Sequence, residues 1–256
     1  MSKVFIITGA GHFPGIGSET AVTLIEQGHC VVVNSRSFDS KWQDVNPTNV
    51  RLVPGDITNP TIQDLVIKTA IDTWGKIDGL VNNASTGVSS YDNMNLLTRQ
   101  SWDDNFLINV VVVYEFSNKL RPWLEKTNGS IVNISSRAAI QPGAGNSVAY
   151  AVSKAAMIRL SDEMAKEFTP NITVNTICPG FVETYRMKKM LGDQYANRKE
   201  IWETSVPLGR TISTNEIADT IIHLLNNRAI TGECISILGG AGAHDRGYII
   251  PEIKGS

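Results

Sequence analysis

The stretch Val4-Phe5-Ile6-Ile7-Thr8-Gly9-Ala10-Gly11-His12-Phe13-Pro14-Gly15-Ile16-Gly17 decides the fold. Its apolar run, residues 4–7, suits a short strand buried on both faces. Four glycines follow within nine positions, and residues 18–27 then have the spacing of a helix. A strand, a tight turn and a helix in that order open a βαβ unit. Without side chains in the way, the turn's N–H groups can approach a pyrophosphate, and the helix N-terminus adds unpaired donors and partial positive charge. Gly9, Gly15, Ile16 and Gly17 are therefore candidate cofactor-binding residues. Glycines also mark ordinary strand–helix turns; the position after the first strand and before a helix makes the nucleotide reading specific.

The rest of the chain repeats the alternation. Apolar runs stand at 30–33, 51–53, 80–81, 130–134, 172–177 and 234–238, separated by amphipathic stretches. In two of these, Ile62, Leu65, Val66 and Thr69, and Ile217, Thr220, Ile221 and Leu224, recur three or four apart. Ser213 and Glu216 form a capping box ahead of the second. The pattern implies an α/β fold: one doubly wound, Rossmann-type domain over 1–256, with seven parallel strands and helices on both faces. Val110–Val113 is β-branched and reads locally as a strand. It sits in a long segment, 103–126, without turn residues before Pro122, so a helix is expected there.

Bulk properties narrow the partners. Hydrophobic residues make up 42% and charged ones 19%, the net charge is −2, and the pI is about 6.1. Such a balance gives no footprint for nucleic acid or an anionic membrane. Cys30, Cys178 and Cys234 are scattered and without nearby histidines, so neither a disulfide framework nor a metal site is expected. The first apolar run is too short for a signal peptide, and no stretch approaches the ~20 apolar residues of a membrane span. A cytoplasmic setting is the expectation.

At the end of the second strand an acid would favour NAD(H), and an arginine a 2′-phosphate. The chain reads Asn34-Ser35-Arg36-Ser37. Arg36 can grip a phosphate with two N–H groups, which points to NADP(H). Asp39 nearby keeps NAD(H) as the alternative.

Tyr150 and Lys154 lie four apart, on one helix face. A phenol has a pKa of about 10, too high for proton traffic near neutrality, and an adjacent ammonium lowers it. The same spacing occurs at Tyr185/Lys189 and Tyr195/Lys199. Only Tyr150 has an apolar strand ending in Ser135-Ser136 shortly upstream; the other two pairs lie in a polar, charge-rich stretch.

Together these segments resemble the short-chain dehydrogenase/reductase family, in its order and from about residue 3 to 240. The likeness includes Asn82-Asn83-Ala84-Ser85, Asn109, Ser135-Ser136, Tyr150, Lys154, Pro179-Gly180-Phe181-Val182-Glu183-Thr184, Pro207–Arg210 and Thr231–Glu233 through Gly239-Gly240. The resemblance implies a hydride transfer between a nicotinamide and a carbonyl or secondary alcohol, with Tyr150 as general acid/base. It makes Lys154 the tuning cation and ribose ligand, Ser136 the substrate-oxygen donor, and Asn109 the holder of a relay water. Asp56 and Ile57 would border the adenine, and Asn83 and Ala84 the adenosine side. Pro179, Gly180, Val182 and Thr184 would embrace the nicotinamide and phosphate. A homotetramer or homodimer built through two long helices is also implied, as is a substrate lid around 183–205.

Three features depart from the family pattern. Five residues separate Gly9 from Gly15 where three are usual, a spacing shared with enoyl reductases. Those enzymes use a longer Tyr-to-Lys spacing, which Met157 denies to Tyr150. Ser85 replaces a usual glycine, putting a side chain near the cleft. Fourteen positions separate Ser136 from Tyr150 where thirteen are usual, so a one-residue bulge is expected in 137–148. His12, His29, His223 and His244 do not cluster and receive no catalytic role. The tail 244–256 runs past the family's usual end, and residues 89–98 are expected to shape the substrate pocket. The lid's basic residues suit a solvated helix face better than an anionic or carrier-linked substrate. A cofactor-binding sensor without chemistry is the reading from another class, and fold alone does not exclude it.

Overall fold

Each apolar run forms a strand. β1 (Val4–Thr8), β2 (Cys30–Ser35), β3 (Val50–Pro54), β4 (Gly79–Asn82), β5 (Ser130–Ile134), β6 (Thr173–Pro179) and β7 (Cys234–Ile237) make one parallel seven-stranded sheet. The computed structural model describes residues 2–86, 97–141 and 148–242. The strand order is β3-β2-β1-β4-β5-β6-β7, so the chain reverses direction of travel between β1 and β4. Ile6 pairs with Val32 on one side and Leu80 on the other. Ligands of doubly wound sheets bind beyond the carboxyl ends of the strands at such a switch.

Strand side chains alternate between two cores. Val4, Ile6, Val32, Leu80 and Ile131 pack with Val66, Phe116, Leu120 and Met164. Phe5, Ile7, Val33, Val81 and Val132 pack with Ala21, Leu24, Ile217 and Ile221 on the opposite face. The helices covering these faces are α1 (Ile16–Glu26), α2 (Pro60–Trp74), α3 (Arg99–Phe106), α4 (Val112–Thr127), α5 (Val148–Phe168), α6 (Tyr185–Leu191), α7 (Tyr195–Ser205) and α8 (Thr214–Asn226). Ser213 and Glu216 close the capping box on α8.

The helix expected at 103–126 is present but starts earlier, at Arg99, and continues through Pro122 to Thr127. It is also not one regular helix. A π-helical turn, Leu107–Val111, joins α3 to α4 and carries Asn109. Val112 and Val113 are buried, so packing overrides their local β preference. The lid stretch folds as α6 and α7. The expected bulge falls mainly on residues 142–147, the pocket segment mainly on 87–96, and the tail on 243–256; these lie outside the described residues. Among the described residues, no helix is long and apolar enough to cross a membrane, and no group of three or more His, Cys, Asp or Glu is placed to hold a metal.

Candidate active site

A cleft of about 1080 Å³ runs along the carboxyl ends of the strands and is lined by every candidate residue except Asn109. Its floor is the glycine turn. Gly9 has φ +67°, and a Cβ there would lie 2.6 Å from the Ala84 Cα; one on Gly17 would lie 2.6 Å from Asn83 Nδ2. The turn is thus packed against the segment after β4 too closely to carry side chains at these positions. Gly15 caps α1 without any side-chain hydrogen bond to the helix start. The first N–H groups of α1 therefore keep donors for an anion. A dinucleotide's pyrophosphate fits this cradle.

Asn83 and Asn34 owe their positions to backbone bonds. Asn83 Nδ2 donates to Thr8 O (2.9 Å) and Gly9 O (3.0 Å), while Thr8 Oγ1 accepts from the N–H groups of Asn83 and Ala84 at 3.1 Å. Asn34 Nδ2 donates to Val53 O and Gly55 O, tying β2 to the end of β3. Their carboxamides hold the walls of the cleft in register. Ser35, the last residue of β2, and the exposed Arg36 form its lip. Asp56 Oδ1 is occupied by the Thr58 N–H and hydroxyl, and Ile57 is buried beneath it. Across the cleft, Pro179 ends β6 and Gly180 follows it, Val182 bridges to Ile212, and Thr184 Oγ1 caps α6 by accepting from Met187 N.

Tyr150 and Lys154 share the cleft-facing side of α5, with Nζ 5.8 Å from the phenol ring centroid. Lys154 is 1% exposed and donates to Ile134 O at 2.6 Å; Met157 Sδ lies 4.0 Å away. Burial, and next the Arg186 cation, bring its pKa down from 10.5 to about 7, against a raising influence of Cys178. An ammonium has three donors, so at least one stays available for a ribose hydroxyl. Ser135 Oγ donates to Lys154 O (2.9 Å), whereas Ser136 caps the turn Arg137–Ala139, its Oγ accepting from Ala138 N. Asn109 lies wholly buried behind the wall: Nδ2 donates to Ser153 Oγ (3.0 Å), and Oδ1 accepts from Ser85 Oγ (2.9 Å). The hydroxyl that replaces the family's glycine thus turns toward Asn109.

The other two tyrosine–lysine pairs are built differently. Tyr195 donates to Glu183 Oε2, and burial together with that carboxylate pushes its phenol up. Tyr185 stacks on His12, with Lys189 5.9 Å from its ring centroid.

Sequence reading missed several cleft residues. His12, Arg137, Tyr185, Arg186 and Trp202 all line it. Arg137 lies 4.5 Å over the Trp202 ring, and its pKa is lowered by burial. The lid's mixture of aromatic and basic residues was the only signal, and it did not say which side chains face inward.

The chain is similar to known proteins over nearly its whole length. A family model described as "Enoyl-(Acyl carrier protein) reductase" matches residues 9–242. The 3-oxoacyl-[acyl-carrier-protein] reductase FabG of Vibrio cholerae is 33% identical over 244 residues, covering 93% of this chain and 96% of that protein. This chain belongs to the short-chain dehydrogenase/reductase family. As a short-chain dehydrogenase/reductase it is an oxidoreductase, and its solved relatives share the whole fold. Cj0485 dehydrogenase superposes with a TM-score of 0.87 at 30% identity, over 96% of each chain. A tyrosine-to-phenylalanine variant of ElxO with NADPH bound gives 0.84 at 25% identity, over 95% of this chain and 100% of that one.

Proposed function

We propose that this short-chain dehydrogenase/reductase uses NADP(H) to reduce a carbonyl, or to oxidise the corresponding secondary alcohol. The observation that carries the reading is Tyr150 and the buried Lys154 on one helix face, lining the same cleft as the glycine cradle. When bound, the dinucleotide supplies or accepts the hydride. Tyr150 donates its phenolic proton to the substrate oxygen, Ser136 Oγ hydrogen-bonds that oxygen, and Lys154 stabilises the phenolate that is left. Lys154 also holds the nicotinamide ribose. Asn109, anchored to Ser85 and Ser153, fixes the π turn beside α5 and holds the relay water that returns a proton. The absence of an acid at 34–37, the presence of Arg36 and the NADPH in ElxO support NADP(H) over NAD(H).

The relatives' name supports a 3-oxoacyl thioester as substrate. The description of the family model favours a second reading, reduction of an enoyl thioester; the four-residue tyrosine–lysine spacing favours the carbonyl. NADPH oxidation with both thioesters, followed by product analysis, separates them: a new alcohol supports the first, loss of the C=C bond with the carbonyl intact the second. Tyr150→Phe should lower turnover by about 10²- to 10⁴-fold while leaving NADPH binding near wild type. An active Phe variant would remove Tyr150 from the chemistry. Exposed Val111, Tyr114 and Val152, in the π turn, α4 and α5, support a homo-oligomer formed through these helices, to be measured by light scattering.

A further inference from the structure

The lid is fastened to the phosphate-binding turn. Tyr185, the first residue of α6, donates its N–H to Pro14 O at 2.7 Å. Its ring stacks on His12, centroids 4.6 Å apart and planes 19° apart. His12 Nε2 is 3.0 Å from Ser37 Oγ. Phe13 packs on Trp42 at 5.0 Å, and Trp42 Nε1 donates to Gly11 O. His12, Phe13 and Pro14 stand in the spacer that makes this turn longer than is usual, so the added length serves as a ledge for α6.

Arg186 is rooted beside that ledge. From there its side chain crosses the cleft, and Nη1 donates to Ser85 O, beyond the end of β4, at 3.3 Å. One long bond to a neutral carbonyl engages one of the five N–H donors of a guanidinium. Tyr150 lies close enough to favour its charge, and Arg36 close enough to oppose it. The residue remains open to water. Among the described residues, Arg36, Lys154, Arg186 and Lys189 line one cleft whose lining acids are Asp56 and Asp104. This cation excess calls for a polyanion, and the glycine turn that lines the same cleft offers backbone N–H groups to a pyrophosphate.

We propose that Arg186 is a cofactor ligand, a lid-borne guanidinium that pairs with the pyrophosphate of the bound dinucleotide. The proposal rests on the reading of the cleft as a dinucleotide site. Binding of the two phosphates replaces the Ser85 contact with charge-assisted hydrogen bonds, which couples cofactor affinity to the placement of α6.

The test is equilibrium binding of NADPH and of NADH without substrate, read by nicotinamide fluorescence, for wild type, Arg186→Met, Arg186→Lys and Arg36→Met. Both dinucleotides carry the pyrophosphate, so Arg186→Met should weaken both by the same factor, about 10- to 100-fold. Arg186→Lys should recover part of the loss. Arg36→Met should weaken NADPH alone. Thermal unfolding of the variants checks that each is folded; Arg186 is exposed, so wild-type midpoints are expected. Unchanged binding of both dinucleotides to a folded Arg186→Met would overturn the proposal. So would a loss confined to NADPH, which would make Arg186 a 2′-phosphate ligand, or unchanged binding with a raised KM for an anionic substrate. Wild type that binds neither dinucleotide would overturn the dinucleotide reading of the cleft and this proposal with it.

Discussion

Glu183 ties the lid to the body, and its removal has a calculable pH signature. Oε1 accepts from Lys199 Nζ at 2.8 Å and from Thr211 Oγ1 at 2.7 Å, and Oε2 accepts from Tyr195 OH at 3.0 Å. The Lys199 and Thr211 bonds bring the carboxyl pKa from 4.5 down to about 2. Taken whole, that shift corresponds to roughly 3.4 kcal/mol. The side chain is still 32% exposed, and water screens exposed pairs, so about 1–2 kcal/mol is expected. Glu183→Gln keeps the shape and removes the charge. In a chain of this size the loss lowers the melting midpoint at pH 7 by roughly 2–8 °C. The folded pKa lies below the unfolded one, so the stabilisation is complete above 4.5 and is lost as pH falls toward about 2. Thermal unfolding at fixed protein concentration, from pH 7 to pH 3, should show the gap between wild type and Glu183→Gln narrowing below about 4.5. A gap that keeps its size across that range, or none at pH 7, refutes the charge argument.

Three further outcomes follow from the same geometry. Lys154, with its pKa lowered to about 7 from 10.5, is disfavoured as a cation in the fold. Lys154→Met should therefore be more stable than wild type at pH 7 and below, with the advantage shrinking as pH rises toward 10.5, measured by urea unfolding. Gly17→Ala places a Cβ 2.6 Å from Asn83 Nδ2 and 2.8 Å from Ala10 Cβ; displacing Asn83 should weaken dinucleotide binding and destabilise the fold by about 1–3 kcal/mol, by titration and melting. Arg36→Asp should cost NADPH affinity while sparing or improving that for NADH; unchanged NADPH affinity would mean that Arg36 points elsewhere.

What could be read from the sequence was what local chemistry dictates. The seven apolar runs became strands because each is short and predominantly apolar or β-branched, and the Gly9–Gly17 turn was legible because its conformation needs those residue types. Val110–Val113 resisted, since a β-branched quartet says nothing of a π turn, which forms where α3 and α4 must both pack against α5. The tyrosine pairs show the limit most clearly. Spacing treats Tyr150, Tyr185 and Tyr195 alike, and an amine stands 5.8, 5.9 and 5.6 Å from the three rings in turn. What separates them is that Lys154 is buried, whereas the second ring stacks on an imidazole and the third bonds a carboxylate. Arg186 was out of reach for the same reason. Its direction follows from where α6 docks, and that is decided by His12 and Pro14, more than 170 residues earlier in the chain. A spacer that departs from its family's length therefore carries information about a distant helix, which becomes readable once the two are seen in contact.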